Sequence, residues 1–375
     1  MKVTVTQQNL AHGLSVVSRA VAVRSTLPVL ANVLLATDEG RLRISATNLE
    51  LGITCWIGAK IEEEGSITVP ARTITDLVST LPPDPLTLSL NTRTQTLNVR
   101  AATSNTDIKG IDAQEFPPMP VPDLNDGVQL NVADFKEIIQ QVVFAASTDE
   151  ARPVLMGALL NVTDNELTMA AADGFRISVR KSALSTGVTK PFKAIIPAKA
   201  LGELARIAQD GDEIVNMIMP AGRGQVIFHM KDFELVSQLI DGNFPDFNQI
   251  IPRNYKTRTI ISTASLLKAC RQAEIIAREG TNVVRLNLKP GEDSQPGVVE
   301  MSAQTEETGS SEIVVDASIE GIPLLIAFNV RFLREVLEVV KTPNVVLETT
   351  AGNTPGVIRP MGDDEFVHVV MPMHL

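Results

Sequence analysis

The sequence predicts an α+β protein built from three tandem repeats, each with two helices packed on antiparallel sheets. Three observations lead there. One amphipathic helix recurs near the start of each repeat, a second recurs near its middle, and short alternating β-branched runs separated by turn residues lie between them.

The first helix shows in the apolar set Leu10, Leu14, Val17 and Val21, which returns 125 residues later as Phe135, Ile139, Val142 and Ala146, and 256 residues from the start as Leu266, Cys270, Ala273 and Ala277. Each set keeps the i, i+4, i+7, i+11 spacing of one helical face. The second helix opens at Val69-Pro70-Ala71-Arg72, Ile196-Pro197-Ala198-Lys199 and Phe328-Asn329-Val330-Arg331, and each opening is followed by an apolar pair: Ile74 and Leu77, Leu201 and Leu204, Leu333 and Val336. Proline suits a helix start, where its missing N–H costs nothing, and Asn329 suits an N-cap. These helices are expected over 7–20, 72–81, 132–147, 198–209, 263–279 and 329–341. Strands are expected at Val29 to Ala36, Arg41 to Thr47, Gly157 to Val162, Glu166 to Ala171, Val284 to Leu288 and Val298 to Ser302, with turns at 37–40, 163–165 and 289–291. Breaks at the proline-rich stretch 116–122 and at 244–252 divide the chain into domains 1–122, 123–252 and 253–375.

Composition limits the function. A chain of 375 residues, 44% hydrophobic and 21% charged, exceeds one ordinary core and favours two or three. Its longest apolar runs fall far short of a membrane span, and Met1-Lys2-Val3 leads straight into an alternating strand, so a cytoplasmic protein is expected. Cys55 and Cys270 are too few and too far apart for a disulfide framework and read as small core residues. The four histidines (His12, His229, His368, His374) have no zinc-ligand spacing, and no nucleophile elbow or phosphate-binding loop is present. Gly222-Arg223-Gly224 reads as a tight turn, and Asp164, Asp173 and Asp212 fall in turn contexts. No cofactor, metal or catalytic residue is expected, and binding or scaffolding is favoured over catalysis.

The charge distribution is uneven. The net charge is −11, yet the six expected helical segments hold 11 basic residues against 8 acids. Basic residues recur at one structural position, Arg72, Lys199 and Arg331. Two readings stand on these facts alone: solvated helix surfaces, or one cationic face that holds a polyanion loosely and without sequence preference.

Several motifs, taken in order, carry a resemblance: Met1-Lys2-Val3, Arg24-Ser25-Thr26-Leu27-Pro28-Val29-Leu30, Ala172-Asp173-Gly174-Phe175-Arg176, Gly242-Asn243-Phe244-Pro245-Asp246-Phe247 and the terminal Met371-Pro372-Met373-His374-Leu375. Together with the threefold repeat, they resemble the bacterial DNA polymerase III beta subunit family, the sliding clamps, over essentially the whole chain. The resemblance implies three clamp domains per chain and a head-to-tail homodimer forming a ring around duplex DNA. It implies a non-catalytic processivity factor that meets a replicative polymerase, a clamp loader and other clamp-binding-motif proteins through a peptide cleft between domains 2 and 3. The cleft positions it implies are Leu155, Ala172, Gly174, Phe175, Arg176, Ile177, Pro245 and Ile250, then Asn329, Phe332, Thr354, Gly356, Val369, Met371, Pro372 and Met373, with Arg176 at the rim. Phenylalanine and methionine make such a surface adaptable to several peptides; without the resemblance, those methionines read as core filling.

For DNA the expected residues are Arg24, Arg72, Arg152, Lys199 and Arg331. For the dimer contact they are Ile275 and Ile276 facing Ile74, Leu77 and Val78. Phe175 stands where the family motif commonly has histidine, Gln249 where many members have a basic residue, and His374 where arginine is usual. Two other classes compete with the clamp: a monomeric repeat scaffold that binds proteins only, and an enzyme with an unrecognised site.

Overall fold

In a computed structural model the described residues are all but 125–126, 164, 185–190, 209–213, 292–294 and 375. Asp164, Asp212 and Leu375 therefore lie outside the described residues. The elements repeat one order: strand, helix, four strands, helix, three strands. The first repeat comprises β1 (Lys2–Thr6), α1 (Gln7–Val17), β2 (Asn32–Asp38), β3 (Arg41–Thr47), β4 (Leu51–Gly58) with its continuation β5 (Lys60–Glu63), β6 (Ser66–Pro70), α2 (Ala71–Thr80), β7 (Pro85–Asn91), β8 (Thr96–Arg100) and β9 (Asn105–Lys109). The second comprises β10 (Val128–Asn131), α3 (Val132–Val142), β11 (Gly157–Val162), β12 (Glu166–Ala172), β13 (Arg176–Ala183), β14 (Phe192–Pro197), α4 (Ala198–Ile207), β15 (Ile214–Ile218), β16 (Gln225–His229) and β17 (Phe233–Gln238). The third comprises β18 (Thr257–Ser262), α5 (Thr263–Ala277), β19 (Val283–Lys289), β20 (Gly297–Thr305), β21 (Gly309–Gly321), β22 (Leu324–Asn329), α6 (Val330–Val339), β23 (Asn344–Thr349), β24 (Gly356–Pro360) and β25 (Phe366–Val370).

Two compact units result, and both draw on the middle repeat. Unit 1 is 1–134 with 203–239; unit 2 is 135–202 with 240–375. Unit 1 holds a five-stranded sheet, β5-β1-β7-β8-β9, and an eight-stranded sheet, β10-β15-β16-β17-β4-β3-β2-β6. Within the latter, β17 of the second repeat pairs antiparallel with β4 of the first, Leu235 opposite Ile53. Unit 2 holds one twelve-stranded sheet, β14-β11-β12-β13-β25-β24-β23-β18-β21-β20-β19-β22. There β25 of the third repeat pairs with β13 of the second, Val179 opposite Val367. The last strand of a repeat thus joins the fourth strand of the repeat before it, and this happens twice.

The predicted helical faces are buried except at three positions: Val21 and Ala146 lie beyond α1 and α3 and are half-buried, and Leu77 is partly exposed. Leu10, Leu14 and Val17 are fully buried, as are Cys270 and Ala273. Helix α1 lies so close to β3 and β4 that a Cβ at Gly13 would meet Ile44 Cδ1 at 2.7 Å, so a larger residue there would require the Ile44 side chain to shift. Thr6 caps α1 through Asn9 N–H, and Asn329 caps α6 by accepting from Arg331 N–H at 3.0 Å. Two expectations shift. The segment 28–31 is a short 3-10 turn before β2, because Pro28 takes a helix-start position. The first helices end at Val17 and Val142 and finish in 3-10 turns.

Those shorter bounds also correct the charge reading. Arg19, Arg278 and Lys341 fall beyond the helices, which leaves eight cations against seven acids within them. The helices are not cationic as a set.

Candidate functional site

Every expected cleft residue lies in unit 2, around the point where β25 joins β13. The turn before β13 is set by Asp173, whose Oδ1 accepts from the N–H groups of Phe175 (2.8 Å) and Arg176 (3.0 Å). Gly174 has φ of +95°, a left-handed conformation that favours glycine. Phe175 is thereby held outward, 58% exposed. Its carbonyl accepts from Met371 N–H at 2.8 Å, and Ala327 C=O accepts from Met373 N–H at 2.8 Å. The C-terminal segment is thus stitched to the turn before β13 on one side and to β22 on the other, presenting a half-exposed Met371 beside Phe175.

Ala172, Ile177 and Val369 are buried beneath, in a cluster with Leu159, Phe244 and Val357 against which Leu155, Phe247 and Ile251 pack. Anchored by Phe244, Phe247 and Ile251, the linker carries Pro245 and Ile250 to the surface. Phe332 on α6 is half-buried, and Pro372 and Met373 are partly covered. The result is an apolar surface of phenylalanine, methionine, isoleucine and proline over an ordered sheet.

Three expected cleft residues have structural work of their own. Gly356 is buried, and a Cβ there would meet the Phe328 ring at 2.6 Å. Thr354 closes a turn with Ala351, and Asn329 caps α6.

Arg176 requires correction: it is not a rim residue. Its side chain is only 5% exposed. Nε donates to Asp173 Oδ2 at 3.0 Å, Nη1 to Glu335 Oε2 at 2.5 Å and Nη2 to Phe144 C=O at 2.9 Å. Its guanidinium carbon lies 4.4 Å from the centroid of Phe332 and 5.3 Å from that of Phe144. Arg176 therefore ties β13 to α6 and to the 3-10 turn 143–145, fixing the frame that shows Phe175 and Phe332 to solvent. Burial pushes the Glu335 carboxyl up, but hydrogen bonds from Arg331 and Arg176 outweigh this and hold it below the usual carboxylate range.

Beside this lies His368, fully buried, its Nδ1 2.6 Å from Ser178 Oγ and its ring stacked on Phe144. Burial, reinforced by Arg176, lowers its pKa to about 3.

Of the expected DNA residues, Arg72, Lys199 and Arg331 are each the second residue of a helix (α2, α4 and α6) and each is exposed. A cation at a helix N-terminus opposes the helix dipole, and none of these three first turns carries an acid. Arg331 donates to Glu335 at 2.7 Å, whereas Arg72 makes only a loose contact with Asp76 at 3.6 Å. Arg24 lies in an exposed loop. Arg152 is committed elsewhere: Nε to Asp149 at 3.0 Å and Nη1 to Asp173 C=O at 3.0 Å.

The expected dimer residues divide. Ile74 and Val78 are completely buried inside unit 1, so they offer nothing to a partner, a second correction. Leu77 is partly exposed, Ile275 is 57% exposed, and Ile276 packs partly on the third-repeat core.

Glu335, Phe144 and Asp173 were missed as cleft residues. The Arg331–Glu335 spacing of four and the Asp173–Arg176 spacing of three were visible in sequence; the contacts across 159 and 32 residues to Arg176 were not. Among the described residues no cluster of three or more His, Cys, Asp or Glu could hold a metal, and no helix is long and apolar enough to cross a membrane.

Family models of the DNA polymerase III beta subunit match the chain throughout: the N-terminal domain over residues 1–120, the central domain over 129–246 and the C-terminal domain over 248–374. The beta sliding clamp of Synechococcus elongatus is 35% identical, and that of Bacillus subtilis 31%; the matches cover all of this chain and 100% and 99% of those proteins. The crystal structure of the Bacillus subtilis DNA polymerase sliding clamp superposes with a TM-score of 0.93 at 30% identity, covering 100% of this chain and 99% of that one.

Proposed function

Because this chain belongs to the DNA polymerase III beta subunit family, the sliding clamps, we propose that two copies close head to tail around duplex DNA and tether a polymerase to it. As a member of that family it is a non-catalytic processivity factor of three tandem α+β clamp domains. The domains are taken as 1–122, 123–252 and 253–375, so a dimer supplies six arcs of a ring.

One observation carries the closure. At both junctions within the chain, the last strand of one repeat pairs with the fourth strand of the preceding repeat: β17 with β4 and β25 with β13. Two strands are left over for one more junction of that kind. β9, the last strand of the first repeat, ends its sheet, and β21, the fourth strand of the third repeat, is paired with β18 only from Ala317 to Gly321. Such edges are templates for another strand. Pairing β9 with the partner's β21 makes a third junction of the same kind, and the two-fold symmetric dimer makes it twice, leaving no further end to polymerise. Exposed Val314 and Ile275 and partly exposed Leu77 suit such a contact.

The register can be carried over. Thr54 faces Glu234 at the first junction, and the corresponding residues at the new one are Glu312 and Asn105. Oxidation of an Asn105→Cys/Glu312→Cys double variant is expected to give a covalent dimer, and neither single variant is expected to do so. A dimer that stays uncrosslinked would sink this arrangement.

The DNA in such a ring is held by enclosure, so Arg72, Lys199, Arg331 and Arg24 need only weak, sequence-independent phosphate contacts. Arg152 contributes by holding the 173–175 turn. The cleft around Phe175 and Met371 takes a short apolar peptide from the polymerase, the clamp loader and other partners, all in the cytoplasm. The monomeric scaffold and the enzyme readings have no specific observation in their favour.

A further inference from the structure

The surface that forms the peptide cleft in unit 2 has a counterpart in unit 1, built by the first two repeats. Its turn is duplicated hydrogen bond for hydrogen bond. Asn48 Oδ1 accepts from the N–H groups of Glu50 (3.0 Å) and Leu51 (2.8 Å), as Asp173 Oδ1 does from Phe175 and Arg176. Glu50 C=O accepts from Gln238 N–H at 2.9 Å, as Phe175 C=O does from Met371 N–H. Ser237 faces Leu51 and Val236 faces Gly52, matching Val370 with Arg176 and Val369 with Ile177. Phe116 packs with Val29 and Leu30, as Phe244 does with Val154 and Leu155.

The two surfaces differ where a ligand would touch. Ile177 is replaced by Gly52, and the gap is partly taken by Met119, whose Cε would lie 2.5 Å from a Cβ at that position. What remains is a pocket of about 230 Å³ lined by Leu49, Glu50, Val236, Gln238 and the stretch Pro117 to Pro120. That is smaller than the roughly 300–1,000 Å³ of a site for a cofactor-sized molecule and suits one or two side chains.

Two features point to a ligand. Leu49 occupies the place of Gly174 with φ of +77°, yet is 51% exposed. A leucine in the left-handed region costs about 1 kcal/mol, and an exposed apolar side chain held at that cost over a pocket is the kind of strain found at binding sites. Glu50 stands where Phe175 stands in the other cleft, and among the described lining residues it is the only charged one. Glu50 is exposed, and among the described residues its carboxylate makes no ion pair.

We propose that this pocket is a second docking site for a linear peptide segment of a partner protein, one presenting an apolar side chain beside a lysine or arginine. The apolar side chain enters between Leu49, Met119 and Val236, and the cation meets Glu50. The inference rests on the reading of the unit 2 surface as a peptide cleft. The two sites differ in preference: Glu50 adds a demand for positive charge that Phe175 does not make.

The test is methyl NMR of the full-length protein, labelled at leucine and methionine methyl groups, titrated with two acetylated tetrapeptides. One alternates leucine with lysine, the other leucine with glutamate. The lysine peptide is expected to shift the Met119 and Leu49 methyls saturably, with the glutamate peptide at least roughly fivefold weaker. Glu50→Lys is expected to reverse that order. No saturable shift at Met119 and Leu49, equal response to both peptides, or an order unchanged by Glu50→Lys overturns the proposal. Met371 and Met373 report the unit 2 cleft separately: shifts confined to them remove only this second pocket, while shifts confined to Met119 and Leu49 retain it and count against the other cleft.

Discussion

Replacing Arg176 with methionine tests how the cleft is held. The side chain is 5% exposed, and its two carboxylate partners, Asp173 and Glu335, are 15% and 16% exposed. Methionine keeps much of the length and can sit between Phe144 and Phe332, so the loss is mainly electrostatic. It takes one charged donor from each of two largely buried carboxylates, which keep their bonds to the 175–176 N–H groups and to Arg331, and it takes the donor from the Phe144 carbonyl. Removing one partner of a buried pair costs about 3–5 kcal/mol, far above the 0–1 kcal/mol of an exposed pair. Glu335→Gln removes only one of those carboxylates and should cost less, because of its other partners Arg331 is 60% exposed and returns to water, and Arg334, a looser contact at 3.9 Å, keeps Glu274 and Glu338. The two substitutions share one contact, so the double variant should fall short of the sum by about 1–3 kcal/mol. Urea unfolding followed by near-UV and far-UV signals reads each value, and anisotropy of a labelled client peptide reads the cleft in the same samples. Peptide affinity should fall in Arg176→Met although the side chain is buried. A loss in Arg176→Met below about 0.5 kcal/mol, or strict additivity with Glu335→Gln, would show that Arg176 does not organise this surface.

Other outcomes follow from single features. His368 has a folded pKa of about 3 against an ordinary value of 6.5, so the unfolded chain takes up its proton first. Its contribution to stability is full above pH 6.5 and is lost as pH falls toward 3, at about 1.4 kcal/mol per pH unit; a His368→Gln variant should show a shallower acid dependence over that window, and an unchanged slope contradicts the burial argument. Burial pushes the thiols of Cys55 and Cys270 up to about 12, so a disulfide reagent at pH 8 should label neither until denaturant is added; prompt labelling of the native protein is the contrary result. Changing Arg72, Lys199 and Arg331 to glutamine should reduce the salt dependence of binding to short linear duplexes by roughly one unit of log–log slope per lost phosphate contact. An unchanged slope assigns the DNA face elsewhere.

The helical faces were legible because burial follows spacing: Leu10, Leu14 and Val17, and their equivalents two repeats later, lie in the core. Local chemistry also read well. Strands Arg41–Thr47 and Gly157–Val162 have the expected limits, and Asn329 caps α6. What could not be read was long-range. An apolar residue on a helix does not say whether its face meets a core or a partner, and Ile74 and Val78 turned out to be core. A charge run does not reveal its ion pairs: Arg334 contacts Glu274 and Glu338, and Arg271 contacts Glu338, so much of the helical positive charge is internally balanced. Arg176 was placed at a rim from its motif, whereas its fate depends on Glu335 and Phe144, which no local pattern joins to it. The cleft as a whole was visible through resemblance alone, since its residues come from six separate segments of chain.

The central claim, a ring held on DNA by enclosure, is tested most directly by retention of the labelled protein on nicked circular DNA before and after one linearising cut, following loading by a matched ATP-driven loader. Enclosure predicts that loaded protein stays on the circles through a high-salt wash and runs off once the DNA is cut. Equal retention on circular and linear DNA, or loss from both at the same rate, would contradict it.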